Sequence, residues 1–191
     1  MIIKSFELGK LKSNKFNLHL IYGNNEGLKE DIIRDNYLKN FAGETLKYDE
    51  QEILNSKDEF IQSLKTKSLF ETNKVIIISR GSDKLTNLVS EILESKIIET
   101  KIIIKCSNLE KKSKLRNLFE KEKNIICTPV YEDDVRSLNS IINIFLKEQK
   151  LNLSQEIKNI LIDRSKGDRI NLKNELSKLK NLSISKKTLD V

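Results

Sequence analysis

Short apolar runs separated by helix-like segments are the feature that most limits how this chain can fold. The clearest runs are Leu18–Tyr22, Val75–Ile78, Ile102–Ile104 and Ile125–Cys127, and a weaker one lies at Thr45–Tyr48. Continuous apolar runs are typical of strands buried on both faces, whereas strands with one solvated face alternate apolar and polar residues. We therefore predict an α/β domain with a parallel sheet and helices on both of its faces.

The segments between the runs have helical spacing. A helix is predicted from about Gly27 to Phe41, and another over Asp58–Lys67. Asp83 is the expected N-cap of a third helix. A basic helix precedes the last run. The apolar residues expected to face inward on these helices are Leu28, Ile32, Ile33, Phe60, Ile61, Leu64, Leu85, Leu88, Val89, Ile92, Leu93, Leu115, Leu118 and Phe119.

Strand signals stop after Tyr131, and three helices are predicted at about 132–149, 154–166 and 168–182. Ser154 is the expected cap of the second helix, Gly167 its end, and Asp168 the cap of the third. This pattern predicts two domains, a sheet domain at 1–131 and a small three-helix domain at 132–191.

Composition and cysteine usage favour a cytoplasmic protein. No apolar run approaches the roughly 18 to 20 residues that span a bilayer, and the first residues do not form a secretory signal. Cys106 and Cys127 each end an apolar run, which predicts buried thiols in a reducing compartment and gives no metal-ligand spacing.

Positive charge is concentrated in residues 101–124, which contain eight Lys or Arg and three acids in a chain of net charge +7. Lys111, Lys112, Lys114 and Arg116 form a candidate DNA-facing patch, because such a surface attracts phosphate backbones. A solvated helix face in a lysine-rich chain is the alternative interpretation.

The segment Gly23–Glu30 has the position of a phosphate-binding loop but not its spacing. A working loop places four residues between its glycines, Lys directly after the second, and then Ser or Thr for magnesium. Here three residues separate Gly23 from Gly27, Leu28 precedes Lys29, and Glu30 stands where the hydroxyl belongs. We expect a degenerate loop that does not bind ATP.

No residue pattern predicts an enzyme. The single histidine, His19, lies within a strand, where a packed side chain is expected, and no Gly-x-Ser-x-Gly turn is present. We therefore predict no catalytic residues, no metal site and no cofactor.

Ser68-Leu69-Phe70 follows the helix predicted at Asp58–Lys67 and precedes the strand at Val75. Continuing that helix at about 100° per residue places Leu69 and Phe70 more than about 120° from its apolar face. These side chains either hold the helix end against the following strand or dock into another protein.

Several stretches taken together resemble the delta subunit of the bacterial DNA polymerase III clamp loader. Their order and spacing, rather than any one motif, carry the resemblance, which spans nearly the whole chain. The stretches are Leu20–Glu26, Ser68–Phe70 followed by Lys74–Ile78, Lys112–Leu115, Gly167–Asp168, and Leu172 with Glu175–Leu179.

The resemblance implies a RecA-like domain of the AAA+ type followed by a three-helix lid, in an ATPase fold that neither binds nor hydrolyses ATP. It implies that Leu69 and Phe70 enter the apolar groove of the beta sliding clamp and help open the ring, with Ser68 at the helix end. Lys65 stands where clamp-binding segments often have Gln.

The resemblance also implies a C-terminal collar domain, which we expect to be absent from this chain. The implied partners are the beta clamp, other loader subunits through the collar and the AAA+ faces, and DNA indirectly. The subunit would be non-catalytic within the DNA polymerase III holoenzyme, a DNA-directed DNA polymerase. A stand-alone nucleic-acid-binding protein or a P-loop nucleotide-binding protein are the alternatives.

Overall fold

The computed structural model describes residues 1–10, 16–65, 73–95 and 100–185, and within them a parallel sheet forms the centre of the larger part of the chain. Its strands pair in the order β2-β3-β4-β1-β5, and every pairing is parallel. The strands are β1 (Leu18–Tyr22), β2 (Glu44–Asp49), β3 (Lys74–Gly81), β4 (Thr100–Cys106) and β5 (Ile126–Pro129).

The described α-helices are α1 (Glu26–Ile33), α2 (Glu50–Asn55), α3 (Lys57–Lys65), α4 (Thr86–Glu94), α5 (Lys114–Lys121), α6 (Val135–Gln149), α7 (Gln155–Ser165) and α8 (Arg169–Ser185). Two short 3-10 helices, Ser5–Lys10 and Asp83–Leu85, and a π-helical turn at Arg34–Leu38 complete the described helical segments.

Alternate residues of the central strands pack on opposite faces of the sheet. Leu20 and Ile104 lie in one core cluster with Phe60 of α3, Leu88 of α4 and Phe119 of α5. On the other face, His19 is buried and hydrogen-bonds Tyr37, in the π-helical turn that follows α1. The prediction of a parallel sheet covered by helices on both faces is confirmed.

Two helix boundaries differ from the predictions. The helix expected from Gly27 to Phe41 changes to a π-helical turn after Ile33, which brings Tyr37 to His19. The prediction that Asp83 is an N-cap is wrong: Ser82 caps the short 3-10 helix before α4. The side chain of Asp83 instead accepts hydrogen bonds from the α5 start, so tertiary contacts outweighed its local preference.

Helix α2 was not predicted, because its six residues carry little apolar periodicity. Its start is nevertheless a complete capping box, in which the Asp49 side chain accepts from Gln51 N–H and the Glu52 side chain accepts from Asp49 N–H.

The structure divides into two compact units. One comprises Met1–Asn24 and Lys29–Val130 and contains the sheet; the other comprises Asn25–Leu28 and Tyr131–Val191. In the second unit, helices α6, α7 and α8 enclose an apolar core of Leu138, Ile142, Leu161, Leu172 and Leu176.

Two caps predicted in the helical unit are confirmed: the Ser154 side chain accepts from Ile157 N–H, and that of Asp168 accepts from Ile170 N–H and Asn171 N–H. In the described parts of the chain, no helix is long and apolar enough to cross a membrane.

Candidate functional site

Gly23 ends β1 in a conformation that only glycine adopts readily. Its φ is +135°, and a Cβ added to it would lie 1.9 Å from the carbonyl oxygen of Val130. Its N–H donates to Ser107 O at 3.2 Å, and Val130 N–H donates to Tyr22 O at 2.8 Å. This glycine therefore permits close backbone packing at the carboxyl end of β1.

Lys29 is buried in the sheet unit, with 1% of its surface exposed. Its Nζ donates to the carbonyl oxygen of Cys106, the last residue of β4, at 2.7 Å. The lysine of a phosphate loop must extend to the phosphates of a nucleotide. Lys29 instead binds the chain's own backbone, and the neighbouring Glu30 pairs with Lys105 at 2.6 Å.

In the helical unit, Asn25 caps the start of α1. Its side-chain oxygen accepts from Leu28 N–H at 2.9 Å, and its amide donates to Tyr131 O at 2.9 Å and Asp133 Oδ2 at 2.8 Å. The N–H groups at a helix start are the donors that hold a phosphate in a working loop. Asn25 satisfies one of those donors here.

Asp133 and Arg169 form a partly buried ion pair beside Asn25. The guanidinium donates to both carboxylate oxygens, at 2.8 and 2.5 Å. Burial by itself raises the pKa of Asp133, but hydrogen bonds from Arg169, Asn25 and Ser137 outweigh it and leave the pKa below its ordinary value. Gly27 packs tightly here, since a Cβ added to it would lie 3.1 Å from the Arg169 Cβ.

The end of β3 carries no acidic pair. Ser79 and Arg80 follow Ile78, and Arg80 has a positive φ of 56° and pairs with Asp49. The nearby Glu50 accepts hydrogen bonds from Ser82 N–H at 2.5 Å and Ser82 Oγ at 2.9 Å. Within the described ranges, no group of His, Cys, Asp or Glu side chains has the arrangement of a metal site.

His19 is a packed histidine, as predicted. Nδ1 is hydrogen-bonded to Tyr37 Oη at 2.5 Å and Nε2 to Thr128 Oγ1 at 2.8 Å. Burial lowers the pKa of His19 to about 3, so the ring is neutral at physiological pH. Cys106 and Cys127 are buried thiols, and burial raises the pKa of each to about 12.

The basic segment, residues 101–124, contains exposed cations and one cation that packs against neighbouring side chains. Lys111 and Lys114 are exposed, and Lys112 is exposed and pairs with Glu110 at 2.9 Å. Arg116 is half-buried: it pairs with Glu120 at 2.7 Å, and its Cζ lies 5.1 Å from the centre of the Tyr22 ring. Arg116 therefore contributes to packing around the end of β1.

Ser68, Leu69 and Phe70 lie outside the described residues. The flanking elements are described: α3 ends at Lys65 and β3 begins at Lys74. Phe60 and Ile61 of α3 are buried and Leu64 packs against the same core cluster, which confirms the predicted inward face of this helix.

Sequence reasoning did not identify the roles of Asn25, Glu50, Asp133 and Arg169. Asp133 was assigned only to a helix start, and its neighbour Asp134 is the residue that caps α6. The only local hint of a role for Arg169 was its position directly after Gly167-Asp168. Its partner, Asp133, lies 36 residues away in the sequence.

Known proteins resemble this chain in structure but not in sequence. No family model matches the sequence, and neither does any curated protein. The DNA clamp loader delta protein of Bacillus subtilis, YqeN, aligns with a TM-score of 0.60 at 17% identity, covering 93% of this chain and 57% of that protein.

A Thermotoga maritima RuvB variant aligns with a TM-score of 0.55 at 15% identity over 95% of this chain and 60% of RuvB. The replication initiator DnaA, bound to AMPPCP and single-stranded DNA, gives 0.55 at 17% identity over 92% of this chain and 58% of that structure. The chain thus spans less than two thirds of the length of each of these proteins. At such low identity the likeness shows the fold alone, and this chain has the RecA-like fold of the AAA+ type.

Proposed function

We propose that this chain acts as the delta subunit of a bacterial clamp loader, binding the beta sliding clamp through Leu69 and Phe70 and helping to open the ring in the cytoplasm. The observation that carries the proposal is the fold likeness to a clamp loader delta protein over 93% of the chain. Ser68-Leu69-Phe70 also falls in the sequence between α3 and β3 of the sheet unit, which is where the resemblance places the clamp-binding residues.

The arrangement around the β1–α1 turn supports a subunit that does no ATP chemistry itself. Lys29 donates to Cys106 O, Glu30 pairs with Lys105, and Asn25 accepts from Leu28 N–H. Other subunits of the loader would then supply ATP hydrolysis, and this chain would contribute binding energy. Burying Leu and Phe side chains contributes roughly 1.5 to 3 kcal/mol each before ordering costs. That energy opens a ring only insofar as the open state is bound more tightly than the closed one.

The test is calorimetric titration of this chain into the beta clamp of the same organism, beside a Leu69→Ala, Phe70→Ala double variant. We expect the parent to bind and the variant to lose at least about 2 kcal/mol of binding free energy. Phe6→Ala is the matched control, because it removes an aromatic side chain that is 72% exposed elsewhere on the sheet unit. Equal binding by parent and double variant would reject Leu69 and Phe70 as the contact, and absence of binding by the parent would reject the clamp as partner.

A further inference from the structure

A basic trough lies along the helical unit, on the face of α6 that does not pack into the core. Two adjoining surface hollows of about 530 and 470 Å³ share Asn143 and Lys147 in their walls. The cations that line them are Arg136, Lys147, Lys150 and Lys158. We call this surface the α6 trough.

The lining of the α6 trough contains no Asp or Glu among the described residues, although the helical unit as a whole has many acids. Three asparagines and one serine complete its polar lining: Asn139, Ser140, Asn143 and Asn152. Arg136, Lys147 and Lys150 are exposed and, within the described part of the chain, form no salt bridge. Hydrogen bonds from Ser137 and the charge of Arg136 lower the pKa of the nearby Asp134, but none of the three cations is held in an ion pair that an external anion would have to displace.

Helix dipoles do not account for this arrangement. Cations stabilise the C-terminal turn of a helix, which explains Lys147, the basic residue in the last turn of α6. Arg136 lies in the first turn of α6 and Lys158 near the start of α7, where a positive charge opposes the dipole. Lys158 is held toward α6 by a 3.0 Å hydrogen bond from Nζ to Asn143 Oδ1.

The dimensions and chemistry fit a nucleic-acid backbone. Arg136 and Lys147 are separated by three turns of α6, or roughly 16 Å at 1.5 Å per residue. One strand of a duplex presents a phosphate about every 3.4 Å along its axis, so roughly five phosphates of each strand lie within this length, and those on the near side are in reach. Lys, Arg, Asn and Ser are side chains that contact phosphates without reading sequence.

We propose that the α6 trough binds the phosphodiester backbone of duplex DNA without sequence preference. The α6 trough shares no residue with 101–124 or with Ser68-Leu69-Phe70, and the proposal does not depend on the proposed clamp function. Four phosphate contacts predict a slope of log Kd against log salt of about 3.6. Affinity would then fall roughly 100-fold between about 50 and about 200 mM salt.

The test measures fluorescence anisotropy of a labelled mixed-sequence duplex with this chain across that salt range. We compare the parent with a Lys147→Gln, Lys150→Asn double variant; Asn is chosen because Lys150 has a φ of +55°, which Asn tolerates. In the double variant, the slope of log Kd against log salt is expected to be smaller than in the parent by about 1.8. The same salt interval would then change its affinity only roughly tenfold. Circular dichroism of the variant checks that the helices remain.

The Lys111→Gln, Lys112→Gln double variant is the matched control. It also removes two positive charges, but from the exposed lysines of residues 101–124. An unchanged slope in this control, beside the reduced slope of the trough variant, supports the proposal. A parent slope retained by the trough variant, equal reductions in both variants, or no duplex binding by the parent would each overturn it. A single-stranded probe of the same sequence should bind more weakly; stronger binding would overturn the assignment to duplex.

Discussion

At the scale of single residues, His19 shows how burial determines the charge of a side chain. Both ring nitrogens have hydrogen-bond partners, Tyr37 and Thr128, and 2% of the residue is exposed. Charging the ring would require removing a cation from water without a carboxylate to compensate it, which is why burial lowers its pKa to about 3. Burial therefore favours the neutral ring in the folded chain.

This burial predicts a pH dependence of stability. In the unfolded chain the imidazole titrates near 6.5, and in the folded chain near 3. Between those values the unfolded state binds the extra proton, so the free energy of unfolding falls as pH is lowered from about 6.5, by at most about 1.4 kcal/mol per pH unit. Urea unfolding between about pH 5 and about pH 8 measures the slope. His19→Gln keeps donor and acceptor groups without titrating, and its slope should be smaller.

A native-state measurement gives an independent check, because His19 is the only histidine in the chain. The ring proton resonances in the folded protein should not shift between about pH 5 and about pH 8. Titration of these resonances near the ordinary histidine pKa would contradict the burial argument.

At the scale of elements, the turn from β1 into α1 depends on Gly23. Its φ of +135° lies in a region that side-chain-bearing residues rarely adopt, and the Val130 carbonyl occupies the space of a Cβ. Because Val130 N–H donates to Tyr22 O at the carboxyl end of β1, Val130 cannot move without disturbing the end of that strand.

We expect Gly23→Ala to lower the free energy of unfolding by at least about 2 kcal/mol, through both strain and the close contact. Gly9→Ala is the matched control, since nothing lies within 4 Å of the Cβ it would add. The control should change stability by no more than about 0.5 kcal/mol. Denaturant unfolding of the three proteins measures both values, and equal stability of Gly23→Ala and parent would show that the turn relaxes without cost.

At the scale of the whole molecule, charged side chains near the β1–α1 turn have partners within the chain. Lys29 in the sheet unit binds the Cys106 carbonyl, while Asp133 in the helical unit binds Arg169. Each unit thus supplies, from its own residues, partners for charges that a ligand could otherwise neutralise.

We therefore predict that ATP with magnesium leaves the thermal unfolding midpoint unchanged. A ligand present at 100 times its dissociation constant would stabilise the native state by about 2.7 kcal/mol, which shifts the midpoint of a chain of this length by several degrees. Differential scanning fluorimetry over a range of nucleotide concentrations, with magnesium alone as control, measures the shift. A rise that saturates with nucleotide would contradict the prediction.

The sequence by itself determined the strands, most of the helices and the inward faces of α3, α4 and α5. It also identified Ser154 and Asp168 as caps. These features depend on apolar periodicity and on side chains that bind backbone two or three residues away, so the information is local. The short helix α2 and the π-helical turn were missed, because the first has little periodicity and the second follows from the contact of Tyr37 with His19.

Only the tertiary structure decided the strand order and the partners of the buried polar residues. His19 meets Thr128 across 109 positions, Lys29 meets Cys106 across 77, and Arg169 meets Asp133 across 36. A buried polar group must find a partner, but its own residue type does not specify which one. The order of the strands brings His19 to Thr128 and Lys29 to Cys106, whereas the packing of the helices in the helical unit brings Arg169 to Asp133.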